Sequence, residues 1–241
     1  MSVISFVTVV HGASQEIRGK HLQYSKFWSI TNAQKRIPSK RGMILGYTPA
    51  FLLALASFWI LPNQSFRFML LKSVLTLHFF KRIFEVLFIH KYSGNMALDT
   101  AILIPLCYLS NTATIVYAQN LTQTFPEPPI DLLYPGMALF LVGISGNFYH
   151  HYLLSKLRAK DEKEYKIPKG GLFDLVICPH YLFEIIESIG VSFISQTLPA
   201  FIFSISSGSY LMGQSISTRR WYISKFEDFP KDVKAIIPFV L

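Results

Sequence analysis

The chain has 241 residues, of which 51% are hydrophobic and only 15% are charged, and 21 of them are Phe. Soluble domains carry roughly 25% charged residues, so this composition favours an integral membrane protein. The formal net charge of +9 does not indicate a nucleic-acid partner. Its basic residues stand in segments between apolar runs, whereas a phosphate-binding protein gathers them in a patch on a soluble face.

Apolar stretches in chain order predict six bilayer-spanning helices, since a span needs about 20 mostly apolar residues. These stretches are 43–61, 68–90, 98–118, 131–154, 171–194 and a short one at 198–213. Residues 2–10 are apolar but too short to span, and we expect them to be a truncated first span. The predicted fold class is an all-α, polytopic membrane bundle of six to seven transmembrane helices, forming one domain over residues 1–241.

The segments between the predicted spans differ in charge. Residues 11–42, 155–170 and those after Gly213 hold most of the basic side chains, whereas 62–67 and 119–130 are nearly free of them. Counting spans places the three basic segments on one side of the bilayer. The positive-inside rule makes that side cytosolic, so we expect a multi-pass protein with a cytosolic C-terminus.

Ionisable residues inside a predicted span are costly and indicate a function by default. The span at 68–90 contains six of them: Lys72 and His90, and the closely spaced His78, Lys81, Arg82 and Glu85. Lys81 and Glu85 are one helical turn apart and can pair. A bundle-internal ion pair between Arg82 and Glu85 is the structural alternative, and the sequence leaves both interpretations open.

A second group of polar residues begins inside the fourth predicted span and continues into the next loop. It comprises Asn147, His150, His151, Lys156 and Arg158, followed by Tyr165-Lys166-Ile167-Pro168-Lys169-Gly170-Gly171-Leu172-Phe173. The Gly pair beside basic residues allows backbone N–H groups to approach a phosphate. The alternative is an ordinary loop–helix junction with a solvated basic face. The single His pair has no surrounding carboxylates or further His motifs, so we expect no metal.

Two further motifs follow in the C-terminal half. Cys178-Pro179-His180-Tyr181 precedes Glu184, and a helix here would place Tyr181 and Glu184 on one face. Glu184 stands in an apolar run and therefore needs a partner. The segment 219–241 is charged and returns to an apolar end, which predicts either docking back onto the bundle or a membrane-surface anchor.

Three of these motifs together resemble the steroid 5α-reductase family, in its plant-type 3-oxo-5-alpha-steroid 4-dehydrogenase members. They are the Tyr165–Phe173 stretch, the Cys-Pro-His-Tyr motif with Glu184, and Trp221-Tyr222 with Lys225-Phe226-Glu227-Asp228-Phe229-Pro230-Lys231. The resemblance is close over residues 92–241. The His78–Arg82 stretch is more similar to the trans-2-enoyl-CoA reductase branch. The resemblance implies a seven-helix protein of the endoplasmic reticulum membrane, surrounded by membrane lipids.

The resemblance also implies NADPH as cofactor and an apolar substrate, either a steroid or a fatty acyl-CoA. The reaction would reduce a carbon–carbon double bond conjugated to a carbonyl. The implied cofactor-binding residues are Asn147, His151, Arg158, Tyr165, Lys166, Gly170, Gly171, His180, Glu184 and Tyr222. Lys166 stands where the steroid enzymes can have Arg, His151 where they have Asp, and His180 where they have Asn.

The catalytic positions depart from the steroid enzymes, which hold the substrate carbonyl with a Glu and a Tyr. The aligned residues here are Tyr47 and Phe79, and Phe79 has no hydroxyl. The enoyl-CoA branch implicates the Tyr of the Cys-Pro-x-Tyr motif, which is Tyr181. We therefore expect Tyr181, and secondly Tyr47, to donate to the carbonyl oxygen, with Glu184 orienting the nicotinamide or the donor.

Two other functions compete with this interpretation. A non-catalytic lipid-binding relative is favoured by Phe79 and by the short N-terminal apolar segment. An isoprenylcysteine-type membrane methyltransferase has a similar His-Pro-x-Tyr motif. The order here is Pro179-His180-Tyr181, and that alternative does not explain the Gly170-Gly171 turn.

Overall fold

The computed structural model describes residues 35–61, 65–92, 94–157 and 164–241. These residues form six long helices, which are α1 (Ser39–Ile60), α2 (Phe66–Phe84), α3 (Leu98–Leu121), α4 (Leu133–Lys156), α5 (Pro179–Ser195) and α6 (Leu198–Lys225). The predicted helical fold class is therefore confirmed. The short apolar segment 2–10 and the predicted cofactor contact Arg158 lie outside the described residues.

Two predicted helix boundaries were wrong. The helix predicted at 171–194 begins instead at Pro179, and Gly171–Asp174 forms only a 3₁₀ turn. Pro at the first helical position loses no hydrogen bond, which explains the late start. The sixth helix was predicted to be short, but α6 has 28 residues and is the longest described helix. Apolar composition falls after Gly213, whereas the helical backbone continues through polar residues.

Helix α2 changes geometry where its charged residues lie. The α-helix ends at Phe84, and the chain continues as the π-helical turn Glu85–Ile89. Such turns often occur at functional sites because they redirect side chains. A two-stranded antiparallel ribbon then pairs β1 (Arg36–Pro38) with β2 (Asn95–Ala97). The ribbon brings the first residues of α1 and α3 together beside the end of the π turn.

Helices α4 and α5 form a close pair because glycines line their contact. A Cβ built at Gly143 would lie 2.4 Å from the backbone nitrogen of Glu187, and one at Gly136 would lie 2.7 Å from that of Ile194. Both separations are shorter than real Cβ contacts allow. The backbone of α5 therefore lies directly against α4, and the position of Glu187 is set by this packing.

The C-terminal segment packs back against the bundle, as one of the two sequence interpretations predicted. Val176 and Lys234 form an isolated parallel bridge, and the Arg219 side chain donates to the Val233 carbonyl at 2.7 Å. Ile236 is almost fully buried. This contact holds the loop before α5 beside the end of α6, where several predicted cofactor residues lie.

The outer surface of the bundle is rich in apolar side chains. Exposed examples occur on α1, α2, α3, α4 and α6 and include Trp59, Phe80, Ile102, Leu141 and Ile205. Contiguous exposed apolar surface indicates a membrane or partner environment. By length and composition, two helical stretches of the described chain, Ser39–Ile60 and Leu98–Thr124, are suited to cross a membrane.

Candidate active site

One large cavity of about 830 Å³ runs between the helices. Ligand pockets commonly measure about 300–1,000 Å³, so it is large enough for more than a small metabolite. Polar residues from the ends of α2, α4 and α6 and from the loop before α5 line one part. The part deeper in the bundle is mostly apolar and includes Leu75, Ile115, Val191 and Phe203.

A buried ion network stands at the end of α2. Glu85 is fully buried, and its carboxylate lies 3.3 Å from Lys81 and 3.2 Å from Arg82. His151 of α4 contacts the same carboxylate at 3.0 Å. Both ion pairs that the sequence left open are therefore present. The network ties the π turn of α2 to α4 and holds Arg82 at the cavity.

Tyr47 faces the cavity from α1 and is held by Arg82. The Arg82 guanidinium donates to the Tyr47 hydroxyl oxygen at 2.6 Å and also lies over the Tyr47 ring, 4.9 Å from its centroid. Because the phenol oxygen accepts from Arg82, its own hydrogen is available for an oxygen in the cavity. The nearby positive charge also stabilises negative charge that develops on such an oxygen.

Phe79 lies in an aromatic cluster with a tyrosine that sequence reasoning missed. Tyr108 of α3 lines the cavity, with its ring centroid 5.7 Å from that of Phe79 and 5.4 Å from that of Tyr47. A Tyr in an apolar span resembles an ordinary packing residue, so the sequence carries no signal for it. Tyr108 brings a hydroxyl into the region where Phe79 has none.

The first turn of α5 presents the other predicted donor. Tyr181 and Glu184 both line the cavity, as expected for residues three apart on a helix. The Glu184 carboxylate accepts from the side-chain amide of Asn147 at 3.4 Å. The His180 ring lies 4.3 Å from that of Tyr181 and 5.3 Å from that of His151. The structure thus brings the Cys-Pro-His-Tyr motif and the histidine of α4 together.

Asn147 lies behind the cavity lining rather than in it. Its side chain is fully buried and donates to the His180 carbonyl at 2.8 Å, while the Lys81 ammonium donates to its amide oxygen. Asn147 therefore links α2, α4 and the start of α5. In this geometry it positions His180 and Lys81.

The loop before α5 supplies further cavity residues. Tyr165, Lys166 and Tyr222 all line the cavity. The Tyr222 hydroxyl donates to the Lys166 carbonyl at 3.4 Å, and the Tyr165 ring packs 4.8 Å from that of Trp221. The end of α6 and this loop therefore form one wall of the cavity.

The Gly170-Gly171 turn does not belong to the cavity lining among the described residues. Both glycines have positive φ, 85° and 56°, a backbone conformation that side chains rarely adopt. A Cβ at Gly171 would lie 2.9 Å from His150 Nε2, and that nitrogen accepts from the Leu172 N–H at 3.1 Å. The turn docks the loop on α4.

The cavity residues suit a dinucleotide that carries phosphates and an amide. Arg82, Lys91 and Lys166 supply positive charge, and Tyr165 and Tyr222 supply aromatic surface. A hydroxyl is also available there, because Ser39 Oγ is buried without a hydrogen-bond partner among the described residues. Cationic and hydroxyl donors are the groups that phosphates require.

A possible metal-binding set occurs in the ion network. Ligand atoms of Glu85, His90 and His151 lie within 4.8 Å of one another. The Glu85 charge is already balanced by Lys81 and Arg82, and an added cation would face both of them. The charges of this set therefore suit an ion-pair network better than a metal centre.

Comparison with known proteins relates the chain to two kinds of reductase. The family model described as 3-oxo-5-alpha-steroid 4-dehydrogenase matches residues 100–241. The very-long-chain enoyl-CoA reductase of Dictyostelium discoideum is 36% identical over 168 residues, which cover 69% of this chain and 56% of that protein. The probable very-long-chain enoyl-CoA reductase art-1 of Caenorhabditis elegans is 36% identical over 173 residues, again 56% of its length.

A relative named as a steroid enzyme matches over a longer part of the chain. The 3-oxo-5-alpha-steroid 4-dehydrogenase 2 of Homo sapiens is 30% identical over 231 residues, which are 92% of this chain and 87% of that protein. The chain thus spans little more than half of the two enoyl-CoA reductases but most of this steroid enzyme. The resemblance inferred from the motifs is confirmed, and the chain belongs to the 3-oxo-5-alpha-steroid 4-dehydrogenase family.

Proposed function

We propose that this protein reduces a carbon–carbon double bond conjugated to a carbonyl in a lipid, with NADPH as the cofactor. One observation carries the proposal: a single cavity of about 830 Å³ is lined both by residues of the cofactor motifs and by apolar helix faces. The names of the relatives, which are steroid dehydrogenases and enoyl-CoA reductases, support the same chemistry. The protein would act as a multi-pass protein of the endoplasmic reticulum membrane, with six to seven spans and a cytosolic C-terminus.

The polar part of the cavity would hold the cofactor. Lys166, Tyr165 and Tyr222 would contact it from the loop wall, and His151 and His180 from the α4–α5 side. Glu184, held by Asn147, would receive the carboxamide N–H of the nicotinamide. NADPH, when bound, supplies the hydride for the β-carbon of the substrate. Asn147, Arg158, Gly170 and Gly171 remain proposed cofactor residues through the family resemblance.

The protein's own contribution is to stabilise the carbonyl oxygen as negative charge develops on it. A hydroxyl that is already oriented does this at little reorganisation cost, and one such donor is worth about 10²–10³ in kcat. Tyr181 is the first proposed donor, and Tyr47 the second. The contact from Arg82 to the Tyr47 oxygen at 2.6 Å supports Tyr47 in this role. The apolar lining around Ile115 and Phe203 excludes water from the substrate.

The proposal is tested with protein purified in nanodiscs and offered progesterone and a long-chain trans-2-enoyl-CoA in parallel. NADPH oxidation with one substrate and not the other would assign the protein to one branch. NADPH binding is measured separately by the change in its fluorescence. If neither NADPH binding nor oxidation is detected, the proposed function is wrong.

A non-catalytic lipid-binding function is the second candidate, and Phe79 is the observation that favours it. Phe79 is buried at the cavity wall, in the place where steroid enzymes are expected to have a hydroxyl. NADPH binding without turnover of either substrate would support this candidate. S-adenosylmethionine binding in place of NADPH would instead support the methyltransferase alternative.

A further inference from the structure

The deeper part of the cavity contains a second polar site that the proposed reaction does not use. His78 Nδ1 lies 2.7 Å from Glu187 Oε1, and both residues line the cavity. Glu187 is 2% exposed. Its other carboxylate oxygen, Oε2, is buried and has no hydrogen-bond partner in the part of the chain that the structure describes. A buried acceptor of this kind needs a donor from a ligand or a water.

A second polar residue of the cavity lining is Ser206 of α6. Its Oγ is also buried without a hydrogen-bond partner among the described residues, and the residue lines the cavity. Helices α5 and α6 run antiparallel, and the Ser204 hydroxyl donates to the Ser188 carbonyl at 2.5 Å. Ser206 is two residues beyond Ser204, and Glu187 is one residue before Ser188. Because the helices are antiparallel, Ser206 and Glu187 lie at about the same level of the bundle.

Glu187 belongs to a group of charged residues at the cavity. Lys81 interacts electrostatically with three carboxylates, those of Glu85, Glu184 and Glu187. A carboxylate oxygen accepts hydrogen bonds, and Oε2 has no donor among the described residues. Oε2 therefore requires a donor hydrogen from whatever occupies this part of the cavity.

The Glu187 carboxylate is also held in place. The close contact of Gly143 with the Glu187 backbone fixes the start of the side chain, and His78 fixes Oε1 at its other end. These two contacts hold the side chain at both ends, and Oε2 is the oxygen that His78 does not contact. A fixed acceptor and a serine hydroxyl at the same level of the bundle suit a ligand group that both donates and accepts.

We propose that Glu187 and Ser206 bind an alcohol group carried by the lipid substrate, with His78 positioning Glu187. The alcohol would donate to Glu187 Oε2 and accept from the Ser206 hydroxyl. A ketone at the same place would direct its oxygen at a carboxylate and be disfavoured. This inference deepens the proposed function and rests on it, because it assigns the deeper part of the same cavity to the substrate.

Three steroids that share the conjugated ketone test the proposal. Testosterone carries a hydroxyl at the far end, androst-4-ene-3,17-dione carries a ketone there, and androst-4-en-3-one carries neither. Equilibrium binding of each to the full chain in nanodiscs, with NADP⁺ present, reports recognition without turnover. Wild-type protein is expected to bind the hydroxyl steroid roughly 10- to 100-fold more tightly than the ketone, because a hydrogen bond to a charged group is lost.

Variants separate the two residues of the site. Glu187→Gln places an amide N–H where Oε2 was, and it is expected to reverse the preference toward the ketone. Ser206→Ala is the milder variant and is expected to reduce the hydroxyl preference roughly 2- to 10-fold without reversing it. Ser209→Ala is the matched control, because Ser209 donates to the Ile205 carbonyl and is expected to leave all three affinities unchanged.

Several results would overturn the proposal. Equal binding of the three steroids by the wild type would mean that a water satisfies Oε2. If none of the three steroids binds, the assignment is also overturned. An unchanged order of affinities in both Glu187→Gln and Ser206→Ala would do the same. NADPH oxidation in the same samples tests the proposed function separately. Its absence, with the affinity pattern present, would leave the alcohol site in place.

Discussion

Glu85→Gln offers the sharpest test of the ion network, because the substitution keeps the shape of the side chain and removes only its charge. The Glu85 carboxylate is fully buried and faces Lys81, Arg82 and His151 at 3.0 to 3.3 Å. Its loss leaves two buried cations without their shared partner. Breaking a buried pair in this way costs about 3–5 kcal/mol. A chain of this size loses about 2–4 °C of melting temperature per kcal/mol, so we expect a fall of roughly 6–20 °C.

The assay heats the purified protein in one detergent to a series of temperatures. The fraction that remains monodisperse is measured after each, and the midpoint of its decline is compared between variants. Glu227→Gln is the matched control, because Glu227 is an exposed carboxylate, and we expect it to change the midpoint by less than about 2 °C. The double variant Glu85→Gln with Lys81→Met removes one of the stranded cations and should recover part of the loss. If Glu85→Gln has the same unfolding midpoint as the Glu227→Gln control, the network does not hold α2 against α4 and the reasoning is wrong.

Three further predictions follow from the packing, the proposed donor and the opposite end of the bundle. Gly143→Ala should destabilise the protein by about 1–3 kcal/mol, because its Cβ would meet the Glu187 backbone at 2.4 Å. The same thermal assay measures this loss, and Gly94→Ala is the control because a Cβ at Gly94 would meet no atom within 4 Å. Tyr181→Phe should lower kcat about 10²–10³-fold on the accepted substrate while NADPH affinity changes little, and unchanged turnover would remove Tyr181 as the donor. Arg67→Lys should lower the melting midpoint, because an ammonium cannot reproduce the contacts of the guanidinium. Those contacts are with Asp131, Glu127, the Ile194 carbonyl and Gln196. On the scale of ~2–4 °C per kcal/mol, a midpoint within about 1 °C of wild type would argue against this prediction.

The sequence predicted the helices well where apolar residues continue to the helix end, and poorly where they do not. The spans at 43–61 and 98–118 agree closely with α1 and α3. The span at 171–194 was predicted too long, since Leu172, Phe173 and Val176 are apolar and buried or partly buried although they precede α5. Apolar composition reports burial or contact with lipid, and hydrogen-bonded backbone geometry is a separate property.

The candidate site was predicted mainly through its motifs, and eight of the twelve predicted site residues line one cavity. Tyr47, Tyr165, Lys166, His180 and Tyr181 come from distant parts of the chain and share its lining. The sequence did not separate lining residues from those behind them. Asn147 and Gly171, for example, are not part of the lining and contact neighbouring elements. That distinction depends on the direction of each side chain after the helices have packed.

By itself the sequence determined the helical class, the apolar surface and the family, because composition and ordered motifs are local properties of the chain. Only the tertiary structure decided which polar residues meet. It placed Tyr108 beside Phe79 and His78 against Glu187, although neither pair is close in sequence or marked by a motif. Such pairs depend on helix rotation and on close contacts such as Gly143 with Glu187. These are set when all the helices pack together, so no single segment encodes them.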